Sequence, residues 1–412
     1  MRARYRGATR LAALLLLAGA FQASPVEASG RQPEFAVVGA PADRRDVVTW
    51  GASADRIGDA VADRAYRLVV HTSVGGGAPR IRLSNAFGDR PVTFDSVYAG
   101  LQQTGAALVH GSNRRVTFAG SRSVTIPAGA VALSDPLPAR LPAATNLVVS
   151  IHSPDAAGPA TGHGMAMQTS YLTQGDHTAE EEAADWTQTT GSWAYLDSVS
   201  VRPPTGTAAV VALGDSITDG WQSTADLDRR WPDYLARRLA RAHLELRGVA
   251  NEGISGNKVL ADGAGQSAQH RLQRDVLSQP GVRTVFLFEG VNDLKGHTGV
   301  TAQDLVAGYR EIARRVHAAG KCVLGATVAP FKGWSEWDPA GEAVRQEVNA
   351  YIRTSGDFDA YTDFDHVLRN PYDPELIMPL FDGGDHLHPD DKGMQAMADA
   401  VDLTKLECSG HR

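Results

Sequence analysis

The chain has 412 residues, 43% apolar and 21% charged, enough for two ordinary domains with sizeable cores and unlike a disordered chain. Its formal net charge of −7 argues against a nucleic-acid surface, and no stable association with membranes is expected once the N-terminal segment is removed.

That segment, residues 1–28, reads as an export signal. Arg2, Arg4, Arg6 and Arg10 precede an apolar run from Leu11 to Ala20, which is too short to span a bilayer at roughly 20 apolar residues per crossing. Val26-Glu-Ala28 and Ala18-Gly-Ala20 carry small residues at the positions a signal peptidase reads, so cleavage is expected after Ala28 or Ala20. The mature protein is expected to be secreted or periplasmic. In that oxidising setting Cys322 and Cys408 either pair or remain as one buried and one terminal thiol.

Residues 29–45 read as an irregular lead-in. From 46 to 202 short apolar-polar alternating runs recur: Ala65–His71, Arg80–Ser84, Phe94–Leu101, Arg115–Phe118, Ser123–Ile126, Asn146–His152 and Trp193–Val201. Glycine- and proline-rich turns separate them, and no long helical period intervenes. This pattern predicts an all-β sandwich, jelly-roll-like, as an accessory domain.

Residues 203–207 read as a linker, and the texture then changes. Strand-like runs at Ala208–Leu213, Leu244–Ala250, Thr284–Phe288, Cys322–Val328 and Asp359–Phe364 alternate with helical patterns. One helix starts near Pro232 with Leu235 and Leu239 inward. Another starts at Thr301, carries Leu305, Tyr309, Ile312 and Val316, and stops at Gly320. A third carries Val344, Val348 and Ile352, and the last is expected from Asp391 to Leu406. Five strand-like runs, most of them strongly apolar and separated by helices, predict a parallel sheet covered on both faces over 208–412.

In such a sheet, ligands bind beyond the carboxyl ends of the strands. Four polar or glycine-rich clusters sit there: Gly214-Asp-Ser216, Asn251-Glu-Gly-Ile-Ser-Gly256-Asn257, Gly290-Val-Asn292-Asp293 and Asp385-His-Leu-His388. A serine hydroxyl is a weak nucleophile until an imidazole takes its proton, and a carboxylate must orient that imidazole. A tetrahedral oxyanion needs fixed donors, and a glycine N–H and an amide side chain supply them. Ser216, His388 and Asp385 fit the first set, Gly256 and Asn292 the second.

Taken together and in order, Gly214-Asp-Ser-Ile217, Gly256-Asn257, Gly290-Val-Asn292-Asp293 and Asp385-His-Leu-His388-Pro389 resemble the sequence blocks of the SGNH (GDSL-type) hydrolases. The resemblance covers about residues 206–406. It implies a flavodoxin-like three-layer α/β/α fold with a five-stranded parallel sheet, and ester hydrolysis through a serine acyl-enzyme; no cofactor or metal is expected. It also implies Ser216 as nucleophile, His388 as base and then acid, Asp385 as its orienting partner, and the Ser216 and Gly256 N–H groups with the Asn292 amide as oxyanion hole. Asp215, Asn251 and Asp293 are expected to brace loops. His386 is the alternative base, but a carboxylate three residues away suits His388 better than its neighbour.

Glu289-Gly-Val-Asn-Asp293, Gly341-Glu-Ala-Val-Arg345 and Gly384-Asp-His-Leu-His-Pro389 further resemble a secreted subgroup related to xylan esterases, in which a β-sandwich precedes the catalytic domain. This implies a carbohydrate ester as substrate, small-molecule or polysaccharide. A lipid or aryl ester, or a thioester, on the same triad stays open, as does a non-catalytic surface binding protein.

Trp334 and Trp337 follow the fourth strand and either line the site or pack a loop. Trp186, Trp193 and Tyr195 read as sandwich core rather than a sugar-binding surface. Asp382, Asp385, His386 and His388 also read as a metal cluster, but the triad requires two of the same residues. A strand of seven residues spans roughly 23 Å and fifteen helical residues roughly 22 Å. The last helix, starting at the catalytic face, should therefore end level with the start of the fourth strand, which favours a Cys322–Cys408 disulfide.

Overall fold

Strand Ala208–Gly214 (β1), buried along all seven residues, is the spine of the C-terminal half of the computed structural model, which describes residues 36–39, 43–155, 158–242 and 244–408. Around it lie Leu246–Gly253 (β2), Val282–Phe288 (β3), Cys322–Ala326 (β4) and Ala360–Thr362 (β5), all parallel, in the order β2-β1-β3-β4-β5. This is the flavodoxin-like order, which reverses direction at β1 and opens a crevice above the β1 and β3 ends.

Alternation along β1 sends its side chains to two opposite layers. Val210 and Ala212 meet Trp231, Leu235 and Leu239 of helix Trp231–Arg241 and Met394, Met397 and Ala398 of helix Asp391–Ala400. Val211 and Leu213 share the other core with Leu305, Ile312 and Val316 of helix Ala302–Ala318 and Val348 of helix Pro339–Thr354. Each of the Val, Leu, Ile and Met side chains among these contributes about 1.5–3 kcal/mol by leaving water. Thr301 caps its helix as the sequence signals, its hydroxyl accepting from Asp304 N while the Asp304 carboxylate takes the Thr301 N–H.

The region before β1 is built of β-sheets. Gly76–Ser84 lies between Leu196–Arg202 and Val131–Leu133 in one sheet, and Asn146–Ser153 between Arg64–His71 and Ser96–Thr104 in another. Trp50, Leu83 and Val199 from the first sheet share a core with Leu68, Val97 and Val149 from the second.

The sandwich also closes the edge of the parallel sheet. β2 is an edge strand, and Ala52 bridges Asn251 alongside it. Ser73 Oγ accepts from Val249 N at 2.9 Å, and Val48 N donates to Pro280 O at 2.8 Å. An uncovered edge would offer unpaired backbone groups to any passing strand. Gly248 permits the approach, since a Cβ there would lie 2.4 Å from Val48 O. Val47 and Trp50 join Ala250 and Val282 in one buried cluster.

Several elements differ from the sequence expectation. The last helix ends at Ala400 rather than Leu406, because Val401 turns to an extended conformation. The Arg238 guanidinium takes the freed Ala398 and Val401 carbonyls, and Asp402 caps a short 3₁₀ turn, Leu403–Lys405. The run Phe94–Leu101 is broken at Asp95, and Trp193–Val201 at Tyr195, whose φ is +61°. The chain end still reaches the foot of the sheet: Thr284 Oγ1 donates to Leu406 O at 2.7 Å, and Cys322, opposite Thr284 in register, is disulfide-bonded to Cys408. Closing a span of 86 residues restrains the unfolded chain by about 4–5 kcal/mol on loop-entropy grounds.

The export segment 1–28 lies outside the described residues. Among the described residues no helix is long and apolar enough to cross a membrane.

Candidate active site

β1 delivers Ser216 into a one-turn helix, Ser216–Asp219, at the carboxyl end of the sheet. Asp215 caps that turn by accepting from Ile217 N at 3.0 Å, and Gly220 ends it at φ +110°. Only glycine fits at 214, where a Cβ would lie 2.1 Å from Thr218 Oγ1 and 2.5 Å from Phe288 O. The glycines around the serine therefore serve close packing and a sharp exit.

Asp385 and His388 sit on the loop before helix Asp391–Ala400. Ser216 Oγ lies 2.8 Å from His388 Nε2, and His388 Nδ1 lies 2.7 Å from Asp385 Oδ2. With Asp385 ionised, Nδ1 carries the ring proton, so Nε2 offers its lone pair to the serine O–H. The Asp385 Oδ1 atom accepts from His388 N at 2.8 Å and Leu387 N at 3.0 Å, which locks the carboxylate.

The electrostatics suit a neutral base. Burial pulls His388 below the ordinary imidazole value, Lys295 adds to this, and the Asp385 carboxylate opposes it. For Asp385, burial would raise the carboxyl, but the His388 backbone N–H and ring and the Leu387 N–H together hold it below the usual range.

Gly256 and Asn292 follow the carboxyl ends of β2 and β3. In the turn after β2, Ile254 N donates to Gly214 O at 3.0 Å, Ser255 N to Asp219 Oδ2 at 2.9 Å, and Asn257 N to Ile254 O at 3.0 Å. The N–H of Gly256, at φ +81°, has no partner among the described residues. The N–H of Ser216 likewise has none. The Asn292 amide donates one proton to Asn257 O at 2.8 Å, tying the third cluster to the second and leaving its other proton unassigned.

The bracing residues hold these loops. Asn251 Nδ2 donates to Thr218 O at 2.6 Å, and Asp293 accepts from Val259 N and Leu260 N at 2.9 and 3.1 Å. Arg271, fully buried, donates to Gly214 O, Glu252 O and Asn257 Oδ1, joining the ends of β1 and β2 to the Gly256 turn. Two further buried carboxyls, Asp215 and Glu289, lie near each other at the carboxyl ends of β1 and β3. Burial, less the Ile217 N–H, pushes Asp215 up to about 7. Burial and the nearby Asp215 push Glu289 well up, and neither of its oxygens has a partner among the described residues.

His386 is turned away from the serine. Its Nδ1 lies 2.6 Å from Asp382 Oδ2, and its ring packs over Gly333. The two histidines are thus paired with two different aspartates rather than gathered around one point. Trp334 stands edge-on to His388 at 5.9 Å between ring centroids, with Lys295 Nζ 5.2 Å from its own centroid. Trp337 packs beside Lys332 instead. Trp186, Trp193 and Tyr195 are buried in the sandwich.

Sequence reasoning missed Trp221. Half-exposed, it lies 6.3 Å from His388 in an edge-on contact. Its position five residues after Ser216, just past Gly220, was the available signal. Lys295 and Gln222 were missed too. Gln222 Nε2 is 3.4 Å from Asp385 Oδ2.

Residues 212–396, which include Ser216, Gly256, Asn292, Asp385 and His388, match the model of the GDSL-like Lipase/Acylhydrolase family. This stretch is a GDSL-like hydrolase domain. Its chemistry is that of a carboxylic ester hydrolase. Solved structures similar to part of this chain include a carbohydrate acetylesterase from Sinorhizobium meliloti (19% identity, 47% of this chain and 96% of that one, TM-score 0.38). An aryl esterase from M. smegmatis is 18% identical over 47% of this chain and 96% of its own, with TM-score 0.39. A GDSL-like lipase from Bacteroides thetaiotaomicron is 19% identical over 48% and 87%, with TM-score 0.38. No curated protein matches the chain.

Proposed function

We propose that the chain is an exported serine esterase that removes small acyl groups, acetyl foremost, from carbohydrate such as xylan. The mechanism rests on one observation, the continuous hydrogen-bonded relay from Ser216 through His388 to Asp385. As Ser216 Oγ attacks the ester carbonyl, its proton passes to His388 Nε2 and Asp385 stabilises the imidazolium. The carbonyl oxygen takes up negative charge, which the Ser216 and Gly256 N–H groups and the free proton of the Asn292 amide are available to receive. Collapse expels the alcohol, protonated by His388, and leaves an acyl-serine. Water then attacks that acyl group, giving its proton to His388, and the returning proton frees Ser216 and the acid.

Support for a sugar on the alcohol side comes from Trp221 and Trp334, whose indoles both contact His388 and place aromatic surface beside the nucleophile. The same surfaces would take an aryl ester, which is the second reading. Product analysis after incubation with acetylated xylan, wild type against Ser216→Ala, tests the first: acetate is expected from the wild type alone. A p-nitrophenyl ester series with its maximum at long acyl chains would count against a small acyl group. Export is supported by the sequence of residues 1–28 and is tested by N-terminal sequencing of protein recovered outside the cytoplasm, expected to begin after Ala28 or Ala20.

A further inference from the structure

The sandwich sends one titratable side chain to the nucleophile turn. His163, at the end of strand Pro159–His163, is buried against Asp219, the last residue of the one-turn helix that begins with Ser216. Its Nε2 lies 2.9 Å from Asp219 Oδ1 and 3.0 Å from Met165 O, and its Nδ1 lies 2.9 Å from Ser53 O. Every hydrogen-bond partner of the two ring nitrogens among the described residues is an acceptor, which suits a ring protonated on both nitrogens and paired with the Asp219 carboxylate.

The other oxygen of Asp219 is also engaged. Oδ2 accepts from Ser255 N at 2.9 Å and from Ser255 Oγ at 2.8 Å. Ser255 immediately precedes Gly256, whose N–H is unpartnered among the described residues. A single carboxylate, held in place by a sandwich histidine, therefore links the exit of the nucleophile turn to the residue before the Gly256 amide. Neither His163 nor Asp219 takes part in the Ser216–His388–Asp385 relay.

We infer that His163 is a positioning residue for ester hydrolysis: through Asp219 and Ser255 it holds the Gly256 N–H where a developing oxyanion forms, which makes the sandwich part of the catalytic apparatus rather than an appended module. The inference rests on the esterase reading above. An oxyanion donor acts only if it is fixed before the charge develops, because reorientation during reaction forfeits the gain. Losing one such donor outright costs about 10²–10³ in kcat, so loosening its support costs less, on the order of tenfold.

The test uses the full chain with p-nitrophenyl acetate, comparing wild type, Ser216→Ala, His163→Gln and Ser255→Ala for kcat, KM and melting temperature. His163→Gln is expected to lower kcat about tenfold or more with KM within about twofold. Ser255→Ala, which keeps the backbone N–H but loses the Oγ–H, is expected to lower kcat by a smaller factor with the same unchanged KM. A role in stability alone would lower the melting temperature and leave kcat of the folded enzyme intact. If His163→Gln does not fold, Ser255→Ala carries the test. Unchanged kcat in each variant that folds, or a loss residing in KM, overturns the inference while an inactive Ser216→Ala leaves the esterase reading standing. Full turnover by Ser216→Ala overturns that reading and this inference with it.

Discussion

Ser53 Oγ donates to Glu252 Oε2 at 2.8 Å although the two residues are 199 positions apart. Ser53 lies in the sandwich and Glu252 on β2 of the hydrolase sheet, with both side chains buried. Gln279 Nε2 donates to the other Glu252 oxygen at 2.8 Å, and Arg271 Nη1 donates to Ser53 Oγ at 2.7 Å. This junction lies directly behind the Gly256 turn and shares Arg271 with it.

Such a junction couples the two regions in unfolding. Since the sandwich covers the edge of β2 and shares its apolar cluster, a single calorimetric transition is expected, with agreement between calorimetric and van't Hoff enthalpies. Ser53→Ala, which leaves a buried Glu252 oxygen without its donor, is expected to cost about 1–3 kcal/mol in urea unfolding. Two separated transitions, or a neutral Ser53→Ala, would contradict this.

The two neighbouring histidines should behave oppositely. His388→Ala is expected to lower kcat by a factor of about 10³ or more. His386→Ala, which removes only an exposed ring paired with Asp382, is expected to stay within about threefold of wild type. Steady-state kinetics on a short-chain ester decide between them, and the reverse result would reassign the base.

The acid limb of the pH profile follows from His388. The base works only when neutral, and burial holds its pKa below the ordinary 6.5. Turnover should therefore persist as pH falls through about 6.5 and decline only below that. The pH dependence of kcat/KM, which reports the free enzyme, measures this limb. A half-point above 6.5 would show that Asp385 outweighs burial.

Asp215 predicts a pH-dependent stability. Its folded pKa of about 7 lies above the unfolded value of 3.8, so the folded state holds the proton more tightly. The resulting penalty is absent below about pH 4, grows as pH rises, and is complete above about pH 7. Asp215→Asn keeps an oxygen for the Ile217 N–H and cannot ionise. It is expected to be more stable than wild type at pH 8, by on the order of 1–4 kcal/mol, with the difference vanishing near pH 4. Denaturant melts at the two pH values measure it; equal differences at both would remove the argument.

Much of the hydrolase half was legible along the chain because its signals are local. An all-apolar strand before Gly214-Asp-Ser216, helix starts at Pro232 and Thr301, and polar clusters at strand ends are properties of short segments. The i to i+3 spacing of Asp385 and His388 is local as well, since the same loop supplies both the carboxylate and the imidazole. The break of the last helix after Ala400 was not legible, because Arg238, 160 residues before Ala398, takes the carbonyls that end it.

The sequence by itself determined the order of strands and helices, the kinds of reactive residue, and their location at the ends of a parallel sheet. Only the tertiary structure decided that Trp221 joins Trp334 beside His388, and that His163 of the sandwich meets Asp219 behind Ser216. Periodicity and turn chemistry act over a few residues and survive in a linear reading. Ion pairs and ring contacts between segments depend on how two sheets dock, and that is set by shape and burial across the whole chain.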